Sequence, residues 1–105
     1  MMATLEELTE RIRRAASEAE TSSLDPSIKL DLKGEGVIHI AGAAVTNKDL
    51  PADLIVTIGL RDLAAIGKGQ LDPTRAMMTG RLRLSDMGLA MKLQPKIQSL
   101  FAKAA

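Results

Sequence analysis

The first periodic stretch of the chain is helical. Leu5, Leu8, Ile12, Ala15, Ala16 and Ala19 recur at mostly three- and four-residue steps, the spacing that puts side chains on one face of an α-helix. Thr4 ahead of Glu6 and Glu7 supplies an N-cap and an acidic first turn, so an amphipathic helix is predicted over residues 1–20. Thr21-Ser22-Ser23 and Asp25-Pro26 stop it, because proline lacks the amide that propagates a helix and restricts the residue before it.

From Ser27 the period changes to two. Ile28, Leu30 and Leu32 alternate with Lys29, Asp31 and Lys33, which describes a strand with one face buried and the other in water. Gly34-Glu35-Gly36 offers two residues free to take positive φ, and Val37-Ile38-His39-Ile40 resumes the extended pattern, so a hairpin is predicted. Ala41-Gly42-Ala43-Ala44-Val45 continues weakly as a third strand before the turn-rich Asn47-Lys48-Asp49-Leu50-Pro51. Asp53-Leu54-Ile55-Val56-Thr57-Ile58 is β-branched enough for a strand near the sheet centre, with Leu54, Val56 and Ile58 on one face.

Helical spacing returns with Leu60, Leu63, Ala64 and Ile66 and stops at Gly67 and Gly69. Asp72-Pro73 pairs an N-cap with proline at the first helical position, starting a short helix that runs towards Thr79 and ends at Gly80. Arg81-Leu82-Arg83-Leu84 alternates as a strand, and Ser85-Asp86 caps a helix through Leu93 with Met87 and Met91 on its apolar side. A last helix follows Pro95, with Ile97, Leu100 and Phe101 at three- and four-residue spacing. This order predicts an α+β class with a largely antiparallel sheet.

At 105 residues the chain reads as a single domain, a helix over 1–20 followed by sheet and helices over 27–105. A formal charge of +1 is too small for the phosphate affinity of nucleic-acid binders. The absence of cysteine removes disulfides, thiolate metal sites and thiol redox chemistry. Phe101 is the only aromatic residue, so no base-stacking platform or aromatic cage can form. The core must therefore be aliphatic, filled out by methionine. No apolar run reaches membrane-spanning length, and the charged residues between Glu6 and Arg14 displace a signal-peptide centre. A soluble, cytoplasmic protein is expected, with no metal and no cofactor.

Candidate chemistry is sparse. His39 is the only imidazole, and alternation points it outward with Lys29, Asp31 and Lys33; no GxSxG turn accompanies it. Gly34-Glu35-Gly36 and Gly67-Lys68-Gly69 complete neither GxGxxG nor GxxxxGK[ST] and read as turns and caps. The carboxylates of the first helix read as a solvated face. Charge, however, is uneven: residues 1–60 hold 6 basic and 10 acidic groups, whereas residues 61–105 hold 8 and 3. Arg75, Arg81, Arg83, Lys92 and Lys96 give the C-terminal part a basic bias suited to an anionic headgroup or a membrane surface. Met77, Met78, Met87 and Met91 cluster around one strand, either as core packing or as an adaptable apolar site.

The run Leu54 to Leu63, then Gly69-Gln70-Leu71-Asp72-Pro73-Thr74-Arg75-Ala76-Met77-Met78-Thr79-Gly80-Arg81-Leu82-Arg83-Leu84, then Asp86-Met87-Gly88-Leu89-Ala90-Met91-Lys92-Leu93 resembles the sterol carrier protein type 2 family, the non-specific lipid-transfer domain. The likeness extends in order over about residues 25–102. It implies a five-stranded, mostly antiparallel sheet with helices covering one face and an apolar tunnel between them, open to fatty acids, fatty acyl-CoA or sterol-like molecules. On that template Val56, Ile58, Met77, Met78, Leu82, Leu84, Met87, Met91, Ile97 and Leu100 lie near the tunnel, and Arg75, Arg81 and Arg83 meet the headgroup. The implied function is non-enzymatic lipid binding and transfer, with transient membrane contact; self-association stays open. The alternative is a non-catalytic interaction module whose pocket its own side chains fill. Met77-Met78 stands where many relatives carry Phe, and Phe101-Ala102-Lys103-Ala104-Ala105 is not a Ser-Lys-Leu-type peroxisomal address.

Overall fold

The structure is a computed structural model describing residues 4–18, 26–42 and 44–103, without the side chains of 17–18 and 99–103. Helix α1 (Leu5–Glu18) starts at the expected cap: Thr4 Oγ1 accepts the Glu7 amide at 3.1 Å. Its stripe of Leu8, Ile12, Ala15 and Ala16 is buried. The predicted end at Ala19 and Glu20 falls outside the described residues, as do Thr21 to Asp25.

Strands β1 (Ile28–Asp31), β2 (Val37–Ala41), β3 (Ala44–Thr46), β4 (Leu54–Ile58) and β5 (Leu82–Leu84) form one sheet in the order β3-β2-β1-β4-β5. Every pairing is antiparallel except β1 with β4, which run parallel with Ile28 beside Leu54 and Leu30 beside Val56. The predicted hairpin joins β1 to β2. Its turn holds Lys33 at φ 53°, Gly34 at 90° and Gly36 at 133°, so one more residue than expected adopts the left-handed region. The weak third strand exists but is shorter than the predicted run from Ala41, beginning at Ala44 once the chain has turned through Gly42.

Helices α2 (Leu60–Gly67), α3 (Pro73–Met78), α4 (Met87–Lys92) and α5 (Gln94–Lys103) follow β4 and flank β5. One face of the sheet carries Ile28, Leu30, Ile38, Ile40, Leu54, Val56 and Ile58, all fully buried in one cluster with Leu8, Ile12 and Leu63. Each such aliphatic side chain contributes about 1.5–3 kcal/mol, and among the described residues the core cluster is aliphatic throughout.

The other face departs from the reading of the sequence. Because β3 and β4 point the same way, residues 47–53 between them must travel back along the sheet before β4 begins. That crossover passes over the face predicted to be wet. His39 is consequently buried, 7% exposed, with Nε2 3.0 Å from the Pro51 carbonyl oxygen. Lys29 Nζ meets Asp49 Oδ1 at 2.7 Å. Alternation assigned His39 to the correct face, shared with Lys29 across the register, but could not show that a loop covers it. Asp53 ends the crossover by accepting the Ser27 amide at 2.9 Å, while Ser27 Oγ accepts the Asp53 amide at 3.0 Å, so the starts of β1 and β4 are tied together.

Among the described residues no helix is long and apolar enough to cross a membrane. Among the described residues one buried side-chain nitrogen, Lys96 Nζ on α5, has no hydrogen-bond partner. A buried ammonium without a hydrogen bond or counter-ion is unfavourable. Lys96→Met keeps the stem and removes the charge, so its Tm is expected to rise, by about 4–8 °C per kcal/mol recovered in a domain of this size; an unchanged or lower Tm in a thermal melt counts against this. In the hairpin, a Cβ on Gly36 would stand 2.5 Å from Leu5 Cδ2 at a backbone φ of 133°. Gly36→Val is therefore expected to cost on the order of 1–3 kcal/mol in chemical denaturation.

Candidate functional site

Edge strand β5 and the three helices around it enclose an apolar groove. Asp72 Oδ1 caps α3 by accepting the Thr74 amide at 3.0 Å, with Pro73 at the first helical position. Ala76 is fully buried and anchors the helix, which leaves Met77 half-buried beside β5. Gly80 at φ 77° turns the chain into β5, where Leu82 lies beside Ile58 and Leu84 beside Val56. At the far end Ser85 Oγ accepts the Ile55 amide at 2.8 Å and the Ser85 amide donates to the Ile55 carbonyl at 3.0 Å, closing the ladder. Asp86 Oδ1 then caps α4 through the Leu89 amide at 3.0 Å, and buried Ala90 anchors that helix.

The resulting groove has a volume of about 200 Å³. Met77, Leu82, Leu84, Met87, Met91 and Ile97, which the family template sets near a tunnel, line it together with Pro73, Thr74, Ala90, Gln94 and Gln98. Among the described residues no charged side chain lines it. The five additional residues escaped the sequence reading for identifiable reasons. Pro73 reads there as a helix start, Thr74 follows it with no role of its own, and Ala90 is a small residue of its helix, whereas Gln94 and Gln98 are polar, although Gln94 stands three residues before Ile97 and four before Gln98, on one side of α5.

The remaining predicted residues sit elsewhere. Val56 and Ile58 are fully buried in the central cluster and do not reach the groove wall, because β4 lies one strand inward and the groove opens over the edge strand. Met78 is 83% exposed and outside the lining. Leu100 belongs to α5, with its side chain outside the described residues. The three arginines do not converge. Arg75 and Arg81 share a second, polar depression with Asp72 and Thr79, on the side of α3 turned away from the groove. Arg83 is paired with Thr57 between Leu82 and Leu84, so strand alternation sends it to the opposite face of the sheet from the groove. His39 is on that opposite face too, with Lys29.

The model of the SCP-2 sterol transfer family matches residues 3–98. The chain belongs to the SCP-2 sterol transfer family. Its fold agrees: the crystal structure of Sterol Carrier Protein 2 Like 2 from Aedes aegypti superposes with a TM-score of 0.72 at 25% identity, covering 85% of this chain and 92% of that one. The solution structure of palmitated SCP2L2 from the same species reaches a TM-score of 0.65 at 27% identity over 90% and 95% of the two chains. Sterol carrier protein 2 of Oryctolagus cuniculus is 43% identical over 54 residues, which is 50% of this chain and 10% of that protein. The curated relatives are thus far longer than the segment they share with this member of the family.

The caps hold α3 and α4, which are only six residues each. Asp86→Ala is expected to cost about 1 kcal/mol and to speed amide exchange across α4 more than in β1 or β4. Equal acceleration everywhere, read by hydrogen-exchange mass spectrometry, would show that α4 does not open as a separate unit.

Proposed function

We propose that this chain is a non-enzymatic carrier that binds a lipid of the fatty acid, fatty acyl-CoA or sterol-like class in the β5 groove and releases it chemically unchanged in the cytoplasm. The observation that carries this reading is the groove's lining, aliphatic and thioether side chains with a few uncharged polar groups. Affinity would come from burying methylenes at about 0.8 kcal/mol each, which rewards chain length and reads little else. Family membership supports it, as does the palmitated relative of 27% identity. His39 gives the groove no base, since its ring is held under Pro51 on the far face of the sheet.

The groove's volume, about 200 Å³, is smaller than the ~300–1,000 Å³ of ordinary small-molecule sites. A long chain would therefore enter by displacing α4 and α5, and the unbranched Met77, Met87 and Met91 would repack around it. The same small volume favours a second reading, an interaction module with a self-filled pocket, which predicts a dry groove that admits no lipid.

Native mass spectrometry of the purified protein, with solvent extraction of whatever travels with it, separates the two. In titrations with a series of saturated fatty acids the carrier reading predicts a fall in Kd of roughly fourfold per added methylene, until the groove is full. Met87→Asp and Ile97→Asp place a carboxylate in that wall and are expected to weaken binding at least about tenfold. A protein without co-purified lipid that also binds none of the series would move the assignment to the interaction module.

A further inference from the structure

We infer that Lys96 is the residue that holds the head of the ligand, and that it makes this protein select molecules ending in a carboxylate over uncharged lipids of the same length. The inference rests on the carrier reading and adds which members of that ligand class are preferred. Lys96 is half-buried as a residue, yet its Nζ is covered and has no hydrogen-bond partner. Among the described residues no carboxylate of α1 or α2, the helices against which α5 packs, forms an ion pair with it. A lysine ordinarily buries its stem and lifts its ammonium into water. Here the ammonium itself is held out of water with nothing to meet, an arrangement that costs stability and leaves a place for a counter-charge.

The position of the ammonium says what can supply that charge. At about 100° per residue, Gln98 and Lys96 stand on opposite flanks of Ile97 on α5. The flank of Gln98, with Gln94, belongs to the groove, whereas Lys96 is outside its lining. Between the flanks, Ile97 and Leu93 one turn before it pack against the core. A chain that enters the small groove and lifts α5 therefore runs beneath Ile97 towards Lys96, a crossing of about 10 Å given the width of a helix. Its methylenes replace the contacts of Leu93 and Ile97, and its carboxylate arrives at the ammonium. An alcohol, an ester or a sterol brings no charge to that end and leaves the ammonium unpaired. The cations nearest the groove compete poorly for the carboxylate. Arg75 and Arg81 are exposed, in the depression on the other side of α3, where water and salt weaken an ion pair.

The test compares dodecanoate with dodecanol, two ligands of one chain length, by isothermal titration calorimetry on the delipidated protein. The wild type is expected to bind dodecanoate at least about tenfold more tightly. Lys96→Met is expected to abolish that preference by weakening dodecanoate and not dodecanol, and Lys96→Arg, which keeps the charge, to retain it. Dodecanoate is also expected to raise the Tm of the wild type more than that of Lys96→Met. The Arg75→Gln/Arg81→Gln double variant is expected to keep the wild-type preference. A lysine with a merely structural role would shift both ligands together. The inference is overturned if the wild type binds the two alike, if Lys96→Met keeps the preference or loses both ligands equally, or if the arginine double variant abolishes it. Those outcomes leave the carrier reading standing, because both ligands still enter the wild type, whereas a wild type that binds neither removes the carrier reading and the role of Lys96 with it.

Discussion

The parallel pairing of β1 with β4 is the constraint on which the rest of this structure depends. It sets Ile28 and Leu30 beside Leu54 and Val56 at the middle of the sheet, where each is fully buried. Parallel neighbours cannot be joined by a tight turn, so the chain between them must cross a sheet face. Here it does so after the β2–β3 excursion, in the seven residues 47–53. That crossover is held by Lys29 with Asp49, His39 with Pro51 and Ser27 with Asp53. Polar groups on the sheet face are thereby satisfied by the loop, and the helices are left to cover the other face.

The groove follows from what remains. Once α1 and α2 and the central strands have formed the core, β5 is an edge strand of three residues with α3 and α4, six residues each, beside it. Such short helices bury little: one alanine each, Ala76 and Ala90, is fully covered. Their methionines and leucines meet across an incompletely filled space, so the apolar surface that the core could not absorb lines the groove. Low local burial also makes this the region most able to open, which the proposed carrier function would require.

Charge is organised on the same plan. The acidic groups near the groove act locally, as Asp72 and Asp86 capping helices whose amides would otherwise lack partners, and Arg75, Arg81 and Lys92 stand at the surface with no ion pair among the described residues. The depression lined by Arg75 and Arg81 and the groove lined by Met77 and Leu82 are separated only by α3. Apolar and cationic character thus lie side by side without mixing, because a helix distributes successive residues around its axis.

Local structure was legible in the chain wherever a short-range rule governs it. Thr4, Asp72 and Asp86 were readable as caps, Gly34 and Gly36 as a turn, and the period-two runs as strands, since each depends on neighbours within a few residues. Six of the groove's residues were placeable for the same reason, the family resemblance having supplied the template. What tertiary structure decided was long-range. That β1 pairs with β4, that residues 47–53 cover His39, that Val56 and Ile58 belong to the core and not the groove, and that Arg83 faces away from Arg75 and Arg81 all depend on strand order and on which face a crossover takes. The sequence by itself determined which side of each helix and strand is apolar, because periodicity is a property of neighbouring residues. Which of those apolar sides would be sealed and which left open was settled only when segments far apart in the chain competed for the same buried space.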